Sequence, residues 1–276
     1  TGAVGEAMFD ILSERQFPID NIYALASQKS EGKKAMLGSK AVTVTDLANF
    51  DFSLADIALF SAGGSISAEF APKAAKSGCV VIDNTSHFRY ENDIPLIVPE
   101  VNSCNICEYK NRNIIANPNC STIQMLVALK PIYDAVGIKR ITVSTYQAVS
   151  GSGTAAVNEL AKQTAELLNG RDAECDVYPK QIAFNALPHI DTFMDNGYTK
   201  EEMKMCWETR KIFGDENINV SATCVRVPVF FGHSEAIQVE TSDYIDEKKA
   251  RGLLEKAEGV TVIDERRDGG YPTAVH

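Results

Sequence analysis

The first half of this 276-residue chain alternates short apolar runs with segments of helical spacing, and that alternation most restricts what it can fold into. Residues 4–12 carry apolar side chains at helical spacing, just after a turn at Gly2 and Gly5. Residues 22–26, 57–62 and 80–83 read as buried strands, the second ended by Gly63-Gly64, and residues 68–76 read as a helix. Strands alternating with helices imply an α/β unit built on a doubly wound parallel sheet. Ligands of such sheets lie at the carboxyl ends of the strands. The second half has another texture. Residues 121–135, 155–168 and 201–213 have helical spacing, and residues 140–149 are β-rich. Residues 220–231 and 236–242 are β-branched and alternating, and so close in sequence that antiparallel pairing between them is expected. A boundary is therefore placed near Asn117, with an α+β domain after it.

Composition excludes several classes. With 45% hydrophobic and 23% charged residues, wholesale disorder is excluded. No apolar run is long enough for a membrane-spanning helix, which needs about 18 residues or more. A net charge of −10 without basic blocks argues against nucleic acid or a membrane surface as partner. The chain opens at Thr1-Gly2-Ala3-Val4-Gly5, with neither a methionine nor the charged start and apolar core of a signal peptide. It reads as lacking its first strand, and His276 does not read as a natural end. The cysteines are Cys79, Cys104, Cys107, Cys120, Cys175, Cys206 and Cys224, an odd number, and reduced thiols in the cytoplasm are expected. Cys104-x-x-Cys107 has no second pair at zinc spacing, so no metal site is expected.

Three segments carry chemistry. Gly2-Ala3-Val4-Gly5, opening a helix, resembles the tail of a dinucleotide-binding glycine fingerprint, where bare N–H groups meet a pyrophosphate. An ordinary strand-to-helix turn would look the same. The next strand ends in Ala26-Ser27-Gln28-Lys29-Ser30, with no acid where an NAD enzyme grips the ribose hydroxyl. Two hydroxyls and a lysine suit the 2′-phosphate of NADP, although Glu31 works against it. In Asn117-Pro118-Asn119-Cys120-Ser121-Thr122, an apolar segment meets a proline turn and a helix begins just after Cys120. A thiol at a helix start feels the positive end of the macrodipole, which favours the thiolate and makes Cys120 a candidate nucleophile; the plainer fate is a buried structural thiol. A nucleophile needs a base, and the histidines are His87, His189, His233 and His276. His233 follows Gly232 after a long strand, where an imidazole can project into a cleft, with Arg226 earlier on the same run.

At this cysteine the chain resembles bacterial aspartate-β-semialdehyde dehydrogenases. The likeness runs from Thr1-Gly2-Ala3-Val4-Gly5 through Ser61-Ala62-Gly63-Gly64, Asp83-Asn84-Thr85-Ser86 and Val98-Pro99-Glu100-Val101-Asn102. It continues in Ser144-Thr145-Tyr146-Gln147-Ala148-Val149-Ser150-Gly151, Phe184-Asn185-Ala186-Leu187-Pro188 and Ala222-Thr223-Cys224-Val225-Arg226-Val227-Pro228, and so covers essentially the whole chain. The resemblance implies a Rossmann-like NADP-binding domain (residues 1–117, its first strand missing), then a catalytic and dimerisation domain (residues 118–276) of the glyceraldehyde-3-phosphate dehydrogenase-like type. It implies reduction of L-4-aspartyl phosphate to aspartate semialdehyde by NADPH, with release of phosphate, on the route to lysine, methionine and threonine. Cys120 matches the nucleophile, His233 the acid/base and Gln147 the glutamine beside the nucleophile. Arg226 matches the arginine gripping the substrate α-carboxylate, and Glu201 the acid facing its amino group; the Glu-x-x-Lys spacing favours Glu201 over Glu202. Arg89 and Lys204 match a phosphate-binding pair, and Asn119 a substrate contact. The cofactor is implied at Thr1, Gly2, Ala3, Val4, Ser27, Lys29, Ser30, Ser61, Gly63, Ser150 and Gly151.

The resemblance further implies a homodimer or a dimer-based tetramer in the cytoplasm. The plain alternatives are a surface charge for Arg89 and a solvated helix pair for Glu201 and Lys204. Rival readings of the whole chain are an N-acetyl-γ-glutamyl-phosphate reductase, or an inactive fragment that only dimerises.

Overall fold

The computed structural model describes residues 2–275, and the chain divides into two compact units. One takes the chain up to Phe88 together with Tyr109–Ile115; the other takes Arg89–Glu108 and the chain from Ala116 onward.

The first unit runs α1 (Ala3–Glu14), β1 (Ala24–Ala26), β2 (Lys34–Leu37), β3 (Lys40–Asp46), β4 (Ile57–Phe60), α2 (Gly64–Lys76) and β5 (Val80–Asp83). After α3 (Pro99–Asn102), which belongs to the second unit, β6 (Ile114–Ala116) brings the chain back beside β5. The strands form two three-stranded sheets, ordered β1-β3-β2 and β4-β5-β6. The expected strands β4 and β5 pair in parallel, Ile57 opposite Val80, whereas β1 pairs in parallel with β3, a strand the sequence reading did not place, Ala24 opposite Val44. The β2–β3 hairpin is an addition to the sequence reading. Its strands alternate polar with apolar residues instead of forming a continuous apolar run, and Gly38, at a φ of 57°, supplies the left-handed turn position. Ala24, Ala35, Val42 and Val44 bury one face of this sheet under Phe9 and Ile22. At the end of β5, the buried Asp83 accepts hydrogen bonds from Ser67 Oγ at 2.7 Å and from Thr85 N and Oγ1 at 3.1 and 2.8 Å. One carboxylate thus ties the first turns of α2 to the carboxyl end of its neighbouring strand.

The second unit contains α4 (Cys120–Val136), β7 (Ile138–Gln147), α5 (Thr154–Leu168), α6 (Lys200–Phe213), β8 (Asn219–Arg226), β9 (Ser234–Thr241) and α7 (Glu247–Leu254). Its sheet is ordered β8-β7-β9. Alternation along β7 buries Ile141, Val143, Thr145 and Gln147 on one face, and α4 buries Thr122, Met125, Leu126 and Leu129. The antiparallel pairing expected between the last two β-rich segments does not occur. Both flank β7 instead: β8 runs parallel to it, up to Gln147 opposite Arg226, and β9 antiparallel, from Tyr146 opposite Ser234. The reason lies in the connection. Val227 N donates to Gln147 O at 3.0 Å, and Val149 N and Ser150 N donate to Val229 O and Phe230 O at 2.9 and 3.2 Å. The chain is therefore drawn across the carboxyl end of β7 instead of turning back on β8. Gly232 completes the crossing at a φ of 84°, where a Cβ would meet Ala274 O at 2.4 Å. Arg226, the last residue of β8, and His233, the residue before β9, consequently reach the end of β7 from its two sides.

Candidate active site

The site is built where α4 begins. Asn119 caps this helix: its Oδ1 accepts from Ser121 N at 3.0 Å and Thr122 N at 3.2 Å. Cys120 is therefore the first helical residue, and its thiol is reachable from solvent. The expected stabilisation of the thiolate is present but outweighed. Burial of the surroundings and the Glu201 carboxylate push the thiol above its ordinary pKa, against Ser121 and Arg226, which lower it. The surroundings of Cys120 therefore favour the protonated thiol over the thiolate. Of the other cysteines, Cys79, Cys206 and Cys224 are buried, the last pushed up to about 12 by burial, and Cys104, Cys107 and Cys175 are exposed.

One face of α6 supplies the charges. Thr199 and Glu202 close a capping box at its start, with Thr199 N on Glu202 Oε2 at 2.7 Å and Glu202 N on Thr199 Oγ1 at 3.3 Å. Glu202 also accepts from Cys224 N at 3.1 Å, so it is committed to structure, and Glu201 is the acid that enters the site. Glu201 Oε1 accepts from Asn119 Nδ2 at 2.8 Å and Gln147 Nε2 at 3.3 Å; its Oε2 takes Lys204 Nζ at 3.0 Å. Burial works against its charge, but Lys204 and these hydrogen bonds outweigh it and hold the carboxyl below its ordinary range. Lys204 also pairs with Asp191 at 2.7 Å, and the two acids keep its ammonium charged in spite of burial. The pair is thus no solvated surface couple. One turn on, the wholly buried Glu208 takes Arg89 Nη1 at 3.0 Å, and Arg89 Nε donates to Asn117 O at 2.9 Å. Arg89 is only 6% exposed, so the surface-charge alternative is excluded as well.

The opposite wall comes from the sheet. Gln147 Nε2 donates to Ser121 Oγ at 2.9 Å, linking β7 to the first turn of α4. Arg226 Nη1 donates to Ala148 O at 2.7 Å, while its Nε is buried with no hydrogen-bond partner. Ala148 N donates to His233 Nδ1 at 3.0 Å. That bond assigns the neutral tautomer: Nδ1 holds a lone pair and Nε2 the proton. Burial and the Arg226 charge lower the pKa of His233, with Glu201 and the Gly232 carbonyl opposing them. Gly151 lies flush against both side chains. A Cβ there would stand 2.9 Å from Arg226 Nη1, so the guanidinium would have to shift, while His233 Nε2 at 3.5 Å would be in ordinary contact.

Of the sequence-predicted cofactor residues, Thr1 lies outside the described residues. Gly2 caps α1 with no side-chain bond, and a Cβ on Gly2 or Gly5 would meet nothing within 4 Å. Ser27 and Lys29 are exposed just past the end of β1, with Ser30 half-buried. Ser61 and Gly63 follow β4, and Gly63, at a φ of 100°, caps α2, again without a side-chain bond. These uncapped helix starts and hydroxyls fit a dinucleotide's phosphates. Ser150 and Gly151 lie in the second unit, in the turn Val149–Ser152.

Comparison with known proteins bears on the class first. Residues 1–109 match the family model for the NAD binding domain of semialdehyde dehydrogenases, and residues 129–276 match the model for their dimerisation domain. The protein is thus a two-domain oxidoreductase with a nicotinamide-nucleotide domain and a dimerisation domain. It is 61% identical over 275 residues to aspartate-semialdehyde dehydrogenase 2 of Vibrio cholerae, which covers all of this chain and 81% of that protein. Against the enzyme of Aquifex aeolicus it is 55% identical, over all of this chain and 82% of that one. A crystal structure of Vibrio cholerae aspartate semialdehyde dehydrogenase II complexed with ASA matches at a TM-score of 0.97 and 60% identity, over all of this chain and 81% of that one. The Candida albicans enzyme with NADP matches at a TM-score of 0.67 and 25% identity, over 93% of this chain and 74% of that one. The chain belongs to the aspartate-semialdehyde dehydrogenase family.

Sequence reasoning did not single out Glu235. It lies on β9 opposite Thr145, both carboxyl oxygens are sealed from solvent, and the polar groups beside them are Ser121 and Gln124 of α4. Burial pushes its pKa up to about 8. The unfolded carboxyl loses its proton near its ordinary 4.5, so between that value and about 8 the folded state binds more protons and stability falls as pH rises. Glu235→Gln should therefore match the parent in urea unfolding near pH 5 and exceed it near pH 8. An equal difference at both pH values would contradict a neutral Glu235.

Proposed function

We propose that the chain reduces L-4-aspartyl phosphate to L-aspartate 4-semialdehyde with NADPH, reversibly and with release of inorganic phosphate, carrying the acyl group on Cys120 as a thioester. The observation that carries this reading is the cluster around Glu201, whose ionised carboxylate is held by Asn119, Gln147 and Lys204 beside the first turn of α4. An anionic group so placed seats a free ammonium, which an acetylated amine would not offer. Arg226, with unpartnered Nε and charge directed at Cys120 and His233, supplies the seat for a carboxylate. Lys204 and Arg89 are the cations for the phosphate, and the phosphate must compete with Asp191 and Glu208 for them.

The substrate itself lowers the barrier to thiolate formation. Its ammonium beside Glu201 offsets the carboxylate charge that raises the Cys120 pKa. The thiol proton passes to His233; with Nε2 already protonated the only lone pair is on Nδ1, so the ring must release the Ala148 N–H to take the proton there. The thiolate attacks the acyl carbon, the carbon–oxygen bond to phosphate breaks, and a thioester remains on Cys120. When bound, the dinucleotide supplies the hydride. Collapse of the resulting thiohemiacetal breaks the carbon–sulfur bond, and the proton held by His233 returns to sulfur. Gln147, fixed between Ser121 and Glu201, keeps the thiol and the ammonium seat in register.

NADP is proposed over NAD because Ser27, Lys29 and Ser30 follow β1 where an NAD enzyme carries an acid. The Candida albicans structure with NADP and the Vibrio cholerae structure with ASA support these ligands. Residues 1–117 form the cofactor half and 118–276 the catalytic and dimerisation half of a cytoplasmic homodimer or dimer-based tetramer; the matched dimerisation domain supports association.

Given L-aspartate semialdehyde and NADP⁺, the purified chain should reduce the nucleotide only when inorganic phosphate is added, and iodoacetamide pretreatment should abolish turnover. Turnover without phosphate, or after complete alkylation of Cys120, would contradict the proposal. Arg226→Lys should raise KM for the semialdehyde about tenfold, because a point charge replaces a planar fork; an unchanged KM would remove Arg226 from the carboxylate seat.

A further inference from the structure

We propose that Glu208 is a positioning residue, a single buried carboxylate that fixes both the backbone leading into Cys120 and the guanidinium of Arg89. It rests on the reading of Cys120 as nucleophile and Arg89 as phosphate ligand. Glu208 is wholly buried on α6, on the same face as Glu201 and Lys204. Its Oε2 accepts Asn119 N at 2.6 Å; its Oε1 accepts Arg89 Nη1 at 3.0 Å and the Tyr90 hydroxyl at 3.3 Å. Arg89 Nε in turn donates to Asn117 O at 2.9 Å.

Pro118 between them has no N–H to give. The segment Asn117-Pro118-Asn119 is therefore gripped at the Asn117 carbonyl and at the Asn119 N–H, and the two groups that grip it are an ion pair with each other. Asn119 passes the constraint on in two directions, through Oδ1 to the first amides of α4 and through Nδ2 to Glu201. Where Cys120 leaves the loop, and where Arg89 points, thus depend on one carboxylate. The requirement is for an acceptor at both oxygens. A glutamine offers one acceptor, and its NH₂ would face either Asn119 N–H or the guanidinium, donor against donor.

The test is the rate of iodoacetamide alkylation at Cys120, measured on its peptide by mass spectrometry as a function of pH, in substrate-free parent, Glu208→Gln and Glu208→Asp. The exposed Cys104, Cys107 and Cys175 in the same samples serve as internal references. In Glu208→Gln, alkylation of Cys120 should slow about tenfold or more relative to those references, and KM for inorganic phosphate should rise more than KM for the semialdehyde. A merely structural role would lower the melting temperature without moving that ratio or the KM split. Should Glu208→Gln not fold, Glu208→Asp, which keeps the charge but withdraws it by one methylene, should show the same change in smaller measure. Parent-like alkylation of Cys120 in the folded variants would overturn the positioning role. Turnover surviving full alkylation of Cys120 in the parent would instead overturn the reading beneath it.

Discussion

The backbone of a single residue, Ala148, holds the two most important side chains of the sheet wall. Its carbonyl takes Arg226 Nη1 at 2.7 Å and its N–H reaches His233 Nδ1 at 3.0 Å. Ala148 can do this because it follows the last ladder position of β7, where its polar groups have left the sheet and, being buried, must find other partners. The chain between β8 and β9 passes across that point and delivers one residue from each side. Without the crossing, Arg226 and His233 would sit on neighbouring strands of an ordinary hairpin, and neither would meet the end of β7.

The charges follow from the same confinement. The chain is acidic overall, at −10, yet its substrate would be an anion. The positive groups of the site, Arg89, Lys204 and Arg226, are all held inside, where opposing charges are poorly screened. Each cation is set against a group that a ligand can replace or complement: Asp191 and Glu201 at Lys204, Glu208 at Arg89, a backbone carbonyl at Arg226. Glu201 is the pivot. It raises the thiol pKa, and under the proposed function an ammonium seated beside it would ease thiolate formation.

Much of this was legible in the residues, for identifiable reasons. A proline turn before a cysteine and a helix is a local signal; the helix expected just after Cys120 begins at Cys120 itself, with Asn119 as its cap. Strand–helix alternation located β1 and the parallel pair β4–β5 of the first unit, because buried strands are continuous apolar runs. The β2–β3 hairpin escaped because it is half-exposed and alternating. The β8–β9 pairing was misjudged because proximity in sequence favours a hairpin, and only the hydrogen bonds of residues 227–233 to the end of β7 decide otherwise. Glu208, Asp191 and Glu235 carried no signal. Glu208 continues the spacing begun by Glu201 and Lys204, but a row of charges on a helix reads as a solvated face until burial is known. The thiol pKa was misjudged in direction for a related reason: the helix start is local, whereas burial and Glu201 come from elsewhere in the fold.

The central claim, that Cys120 carries the acyl group, is tested most directly by trapping it. The chain would be incubated with L-aspartate semialdehyde and NADP⁺ in the absence of phosphate, quenched in acid, digested and examined by mass spectrometry. An aspartyl group should be found on the peptide containing Cys120, and adding phosphate before the quench should discharge it. Nucleotide reduction with that peptide unmodified, or an acyl group on any other cysteine, would contradict the account.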